Sequence, residues 1–87
     1  GATRVMAKEL GPHNIRVNAV APTITLTELA VEAWSDPAKS EPMMVRHPLG
    51  RFAEADHVAA SIAMLLSDDC AMVTGAVLPI DGGFLAV

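Results

Sequence analysis

The sequence has no tyrosine, one cysteine and only three aromatic residues, Trp34, Phe52 and Phe84. The lone Cys70 excludes an internal disulfide and, with no second cysteine beside it, a thiolate zinc site; such usage points to a reducing, cytoplasmic setting. Six basic residues are scattered from Arg4 to Arg51 against ten acids, giving a net charge of −4. No basic stripe is available to neutralise phosphates and few rings are available to stack on bases, so nucleic-acid binding has no support. His13, His47 and His57 lack the i, i+4 spacing that a helix-borne metal pair needs, and no metal site is expected. The stretches 17–27 and 70–80 carry no charge and are broken by Pro, Thr or Gly. Both fall short of the roughly 18 to 20 apolar residues of a membrane helix, so no membrane span is expected. Gly1 to Arg4 carries neither an initiating Met nor the start of a signal peptide, which reads as a truncated or processed start.

What is present is apolar. The 87 residues are 52 % hydrophobic, with a mean hydropathy of +0.39. A chain of this size buries only about 60 to 65 % of the surface its unfolded form exposes, so this surplus implies packing against further protein.

The order of elements is legible. Ala2 to Leu10 reads as a helix with Val5, Met6 and Leu10 on one face, stopped at Gly11-Pro12, where an αL-tolerant glycine and a residue that cannot continue the helix coincide. Ile15 to Ala21 is β-branched and apolar on both faces, as a short parallel strand covered by helices should be, and Pro22 should end it. Residues 23–48 change character, rich in Thr, Glu, Ser and Pro. So long a connection reads as a binding loop or lid, mobile without ligand and carrying one or two short helices. Ala53-Glu54-Ala55-Asp56 opens an amphipathic helix with Val58, Ile62, Leu65 and Leu66 on its core stripe and Ala59, Ala60 and Ala63 on a second, small-residue face. After Thr74-Gly75, Ala76 to Ile80 reads as a last strand, near a sheet edge because Pro79 lacks an N–H. Helix, strand, long loop, helix, strand describes one right-handed βαβ crossover of an α/β fold. Two such strands cannot stand alone, so the expectation is the C-terminal fragment of a Rossmann-like, doubly wound parallel sheet, with 1–87 as the last third of one domain.

These residues resemble the short-chain dehydrogenases/reductases. Ala7-x-Glu9-Leu10 running into Ile15-Arg16-Val17-Asn18-Ala19-Val20-Ala21-Pro22 is similar to that family's segment between the catalytic Lys and the cofactor. Pro22 to Thr27 resembles its Pro-Gly-x-x-x-Thr loop. Leu49-Gly50-Arg51-Phe52 resembles its entry to the last helix, and Thr74-Gly75 with Asp81-Gly82-Gly83 its final strand and tail. Leu10-Gly11-Pro12-His13-x-Ile15 and Ala33 to Pro37 look most like the branch that reduces ketoses and α-dicarbonyls.

The resemblance implies an oxidoreductase that passes hydride between NADP or NAD and a small carbonyl or hydroxyl substrate. Two other readings stay open: a 3-oxoacyl-thioester reductase of the same family, and a non-catalytic interaction module. The family's Tyr-x-x-x-Lys and catalytic Ser are not in this sequence, so these 87 residues alone should be inert and contain no catalytic residue. What the resemblance leaves here is half a binding site. Backbone groups near Thr25 would bond the nicotinamide carboxamide, and the Thr27 hydroxyl would reach the carboxamide or pyrophosphate, with Pro22 and Thr23 opening the loop. Thr23 stands where the family usually has Gly, and Thr25 where it has Val or Ile. The same threonines also suit capping of a following short helix, which is compatible with cofactor contact. Trp34 is either a wall over the substrate or an anchor for the loop. Met43 and Met44 either line the same pocket or serve packing. His47 and His57 read as solvated or capping, Asp68-Asp69 as a solvated helix end, and Asp81-Gly82-Gly83 as a tight turn with carboxylate hydrogen bonds. A homotetramer through the last helix, the last strand and the tail is expected, with Phe84 to Val87 buried between subunits.

Overall fold

A computed structural model describes residues 1–86. The tail residue Val87 lies outside them. Helix α1 spans Ala2–Leu10, followed by strands β1 (Ala19–Pro22) and β2 (Thr25–Leu26), helices α2 (Glu28–Ala33) and α3 (Pro37–Val45), strand β3 (Ala53–Glu54), helix α4 (Ala55–Leu66) and strand β4 (Val77–Ile80). Short 3-10 turns occupy Gly11–His13, Asp68–Cys70 and Phe84–Ala86.

β1 and β4 pair in parallel, Ala19 opposite Val77 through Pro22 opposite Ile80, with α4 in the crossover between them. This is the α/β arrangement the sequence implied. A second parallel pair was not anticipated: Thr25 lies opposite Ala53 and Leu26 opposite Glu54, so β2 and β3 bracket the two-helix insertion.

Three local expectations need correction. First, α1 ends at Leu10 as read, but the left-handed position falls on Asn14 and not on the αL-tolerant Gly11. Gly11 stays right-handed at φ −53° and the chain runs on through Gly11–His13 to Asn14, which takes the left-handed position at φ 58°. Pro12 at the start of a 3-10 turn lacks only an N–H that would be unpaired there, and Asn tolerates αL better than most residues.

Second, the ladder starts at Ala19, not Ile15. Side chains hold the chain upstream of it: Val17 N–H donates to Thr74 Oγ1 at 3.1 Å, Asn18 Nδ2 to Val73 O at 2.9 Å, and Ala76 N–H to Asn18 Oδ1 at 3.1 Å. Arg16 turns its guanidinium onto carbonyls at the C-terminal end of α4, reaching Leu65 O at 2.7 Å and Ser67 O at 3.3 Å, and onto Val73 O at 3.2 Å. Pro22 is the last paired residue, not the residue after the strand.

Third, the α4 stripe is only partly covered. Leu65 is buried, whereas Ile62 and Leu66 are exposed.

The radius of gyration is 15.6 Å, against about 12 Å for a compact domain of this length. Buried apolar side chains are few, namely Ala7, Phe52 and Leu65, while Val5, Met6, Ile15, Met64, Leu66 and Met72 face outward. An apolar surface that extensive is the kind further protein covers.

Candidate functional site

In parallel α/β sheets, ligands lie beyond the carboxyl ends of the strands. Pro22 closes β1 at that end, and Thr23 N–H, 3.4 Å from Ile80 O, carries the chain off the sheet. The next residues form β2. Ala53 N–H donates to Ile24 O at 3.1 Å, so in the parallel register the ladder uses the groups flanking Thr25. Thr25's own N–H points away from β3. Its carbonyl accepts from Thr27 N–H at 2.9 Å. Its hydroxyl is buried with no protein partner. A buried hydroxyl without a partner costs free energy, on the order of 1 to 3 kcal/mol, and such a group is what a bound polar ligand satisfies.

Thr27 caps α2, its Oγ1 accepting from Ala30 N–H at 3.3 Å. A hydroxyl keeps its own proton when it accepts, so Thr27 remains able to donate outward. Pro22, Thr23, Thr25 and Thr27 thus form one continuous run beyond the strand end.

Trp34 sits apart from that run, at the C-terminal end of α2. It is half-buried, and its ring meets Phe52 edge-on, centroids 5.5 Å apart at 63°. The contact places Trp34 against the segment that returns from the insertion. Met43 and Met44 are half-buried on α3, whose cap is Asp36, Oδ1 accepting from Ala38 N–H at 2.9 Å.

The histidines divide. His57 is a cap: Glu54 N–H donates to His57 Nδ1 at 2.9 Å at the start of α4, within a reciprocal capping box. His47 is not solvated, but it does cap: its Nδ1 donates to Met43 O at 2.9 Å in the last turn of α3. It is 3 % exposed, packed against Phe52 with centroids 5.4 Å apart and against Phe84 at 5.2 Å. Arg46 lies over the other aromatic at this end, its guanidinium carbon 4.7 Å from the Phe84 centroid. All three aromatic residues of the chain therefore join through His47 in one cluster. Nothing in the spacing around Arg46-His47-Pro48 marks it, because the packing depends on the C-terminal turn folding back onto the insertion.

That turn is the one the sequence implied. The Asp81 carboxylate accepts from Gly83 N–H and Leu85 N–H, each at 3.0 Å. Leu49 N–H reaches Gly82 O at 3.0 Å, tying the turn to the returning chain. Gly83 has φ +90°, and a Cβ there would fall 2.9 Å from Pro48 Cγ, so both the conformation and the close approach require glycine. A cleft of about 160 Å³ beside the turn is bordered by Arg51, Phe52, His57 and Ile80. A larger one of about 390 Å³ lies elsewhere, between β1 and α4, and is apolar apart from Arg16 and Asn18. Among the described residues, no group of three or more His, Cys, Asp or Glu is arranged to hold a metal ion, and no helix is long and apolar enough to cross a membrane.

A family model described as enoyl-(acyl carrier protein) reductase matches residues 1–85. The chain belongs to the short-chain dehydrogenase/reductase family. It is 58 % identical over 84 residues to L-xylulose reductase from Bos taurus, covering 97 % of this chain and 34 % of that protein. To D-erythrulose reductase from Gallus gallus it is 58 % identical over 83 residues, 95 % of this chain and 34 % of that one. A crystal structure from Agrobacterium tumefaciens with bound NADP superimposes with a TM-score of 0.92 at 35 % identity, over 100 % of this chain and 35 % of its own. This chain therefore spans about a third of the length of the short-chain reductases it matches.

Proposed function

We propose that the whole protein is a nicotinamide-dependent carbonyl reductase acting on small ketoses or α-dicarbonyls, and that these residues supply its nicotinamide-end loop and its substrate-facing insertion. The observation that carries this reading is the 58 % identity to L-xylulose reductase, which extends over 84 residues and so includes the insertion itself. Pro22, Thr23, Thr25 and Thr27 hold the cofactor's nicotinamide end. The buried, unpartnered Thr25 hydroxyl and its outward N–H fit a carboxamide, which needs both a donor and an acceptor. Bound nicotinamide supplies hydride to the substrate carbonyl; the proton comes from the family's Tyr-x-x-x-Lys, which these residues do not contain.

NADP is favoured over NAD: a relative from Sus scrofa at 46 % identity is named carbonyl reductase [NADPH] 2, and the Agrobacterium structure holds NADP. Trp34 walls the substrate side. Residues 1–87 act as the C-terminal third of one Rossmann-like domain, with 23–48 as its substrate-binding loop. The protein assembles as a cytoplasmic homotetramer through α4, β4 and the tail. The exposed Ile62, Met64, Leu66, Val77 and Leu85 support the assembly surface.

A second reading, reduction of acyl thioesters, is favoured by the description of the matching family model. Steady-state assays of the whole protein separate the two. Oxidation of NADPH with xylulose or diacetyl, and none with acetoacetyl thioester, is the expected result. Turnover of the thioester alone would move the protein to the second reading.

A further inference from the structure

Phe52 stands where two segments with separate proposed roles meet, the cofactor loop and the substrate wall. Its side chain is 3 % exposed and meets the Trp34 ring edge-on, centroids 5.5 Å apart at 63°. The His47 ring packs against it as well, at 5.4 Å and 73°, and is itself backed by Phe84 at 5.2 Å. One residue further on, Ala53 N–H donates to Ile24 O at 3.1 Å, and Ala53 lies opposite Thr25 in the β2–β3 pair. Glu54 then caps α4. The backbone after Phe52 is therefore tied to the Pro22 to Thr27 run and to the start of α4, while the Phe52 ring is buried among other rings.

Trp34 is placed differently. Its backbone closes α2, N–H on Ala30 O at 2.8 Å, and only Ser35-Asp36 separates it from α3. Its half-buried ring has Phe52 as its aromatic neighbour. An edge-to-face pair sets the angle between two rings as well as their distance, because the positive edge of one is drawn to the negative face of the other. An aliphatic side chain of similar bulk would fill the space without setting that angle.

We infer that Phe52 is a positioning residue: its ring sets the Trp34 wall at a fixed place relative to the nicotinamide seat, since one short segment carries both the ring contact and the ladder bond to the cofactor loop. This rests on the reading of Trp34 as the substrate wall. Phe52 acts through Trp34, so its loss displaces the wall and weakens substrate binding. The cofactor's hold is left alone, because the bond from Ala53 to Ile24 uses backbone atoms that a change of side chain does not remove.

The test uses the whole protein. Phe52→Leu keeps apolar bulk and removes the ring. The KM for diacetyl is expected to rise about fivefold, near 1 kcal/mol, with kcat and the Kd for NADPH changing less than twofold. In a double-mutant cycle with Trp34→Ala the two effects on KM should not add: the double variant is expected to match Trp34→Ala alone. Protein labelled with 5-fluorotryptophan supplies a measurement that needs no Phe52 variant. The ¹⁹F resonance that vanishes in Trp34→Phe is expected as one line displaced from free 5-fluorotryptophan, and a line at the free position overturns the proposal. Additive effects on KM, an unchanged KM in Phe52→Leu, or an equal loss of NADPH affinity also overturn it, while leaving Trp34 as the wall. An unchanged KM in Trp34→Ala overturns the wall reading itself, and the proposal falls with it.

Discussion

The βαβ scaffold and the insertion are built by opposite means. α1, β1, α4 and β4 are held by a four-residue ladder and by polar side chains, Arg16 and Asn18, that reach across to carbonyls; of their apolar side chains only Ala7 and Leu65 are buried. The segment with loop-like composition, by contrast, returns through His47 and Phe52, each 3 % exposed, and is closed by the buried Asp81 of the C-terminal turn. The two most deeply buried side chains among the described residues, His47 and Phe52, thus lie where the polar insertion returns and not in the scaffold. The scaffold's apolar faces are exposed, while the end of the insertion packs with Phe52 and the C-terminal turn into a small core. A substrate wall, the role proposed for this insertion, gains from such a core because orienting a substrate requires a held geometry.

The sharpest way to break this contrast is at the turn that seals the insertion. Gly83→Ala puts a Cβ 2.9 Å from Pro48 Cγ on a backbone at φ +90°; the expected loss is about 2 to 4 kcal/mol in urea unfolding of the whole protein. A loss under about 0.5 kcal/mol would mean that the turn does not seal the insertion. On the scaffold side, Arg16→Ala removes three hydrogen bonds to Leu65, Ser67 and Val73 carbonyls. A loss of about 2 kcal/mol is expected, with Arg16→Lys recovering only part of it because an ammonium cannot span the three acceptors.

Smaller effects belong to the helix ends. Thr27→Ala should cost about 1 kcal/mol through loss of the bond to Ala30 N–H, and Thr27→Ser almost nothing. His57→Ala opens the capping box at α4 and should cost about 0.5 to 1 kcal/mol. Equal costs for Thr27→Ala and Thr27→Ser would assign the effect to the methyl group and not to the cap. These four values together measure whether the insertion or the scaffold sets the stability of this part of the protein.

Much of the scaffold was legible because its signals are local. The bounds of α1, the acidic opening of α4, the parallel pairing of two apolar strands and the Asp81-Gly82-Gly83 turn follow from periodicity, capping and turn chemistry. The start of β1 was not legible. Ile15 to Asn18 has a strand-like composition, yet Arg16 and Asn18 spend their side chains on carbonyls 49 to 57 residues away in sequence. The β2–β3 pair was hidden for a similar reason, since two residues give no period and only their partner defines them. Of the site, the Pro22 to Thr27 run and Trp34 stood out by motif and by rarity. His47 did not, because its burial is created by Phe52 and Phe84 arriving from two other segments.

The central claim is that the insertion is the substrate wall and the Pro22 to Thr27 run the cofactor seat. Trp34→Ala in the whole protein tests it most directly, read as KM for xylulose or diacetyl alongside Kd for NADPH. The account predicts a KM increase of about tenfold, near 1.4 kcal/mol, with Kd for NADPH changed less than twofold. Equal losses in both, or none in either, would contradict it and leave Trp34 as an anchor of the loop.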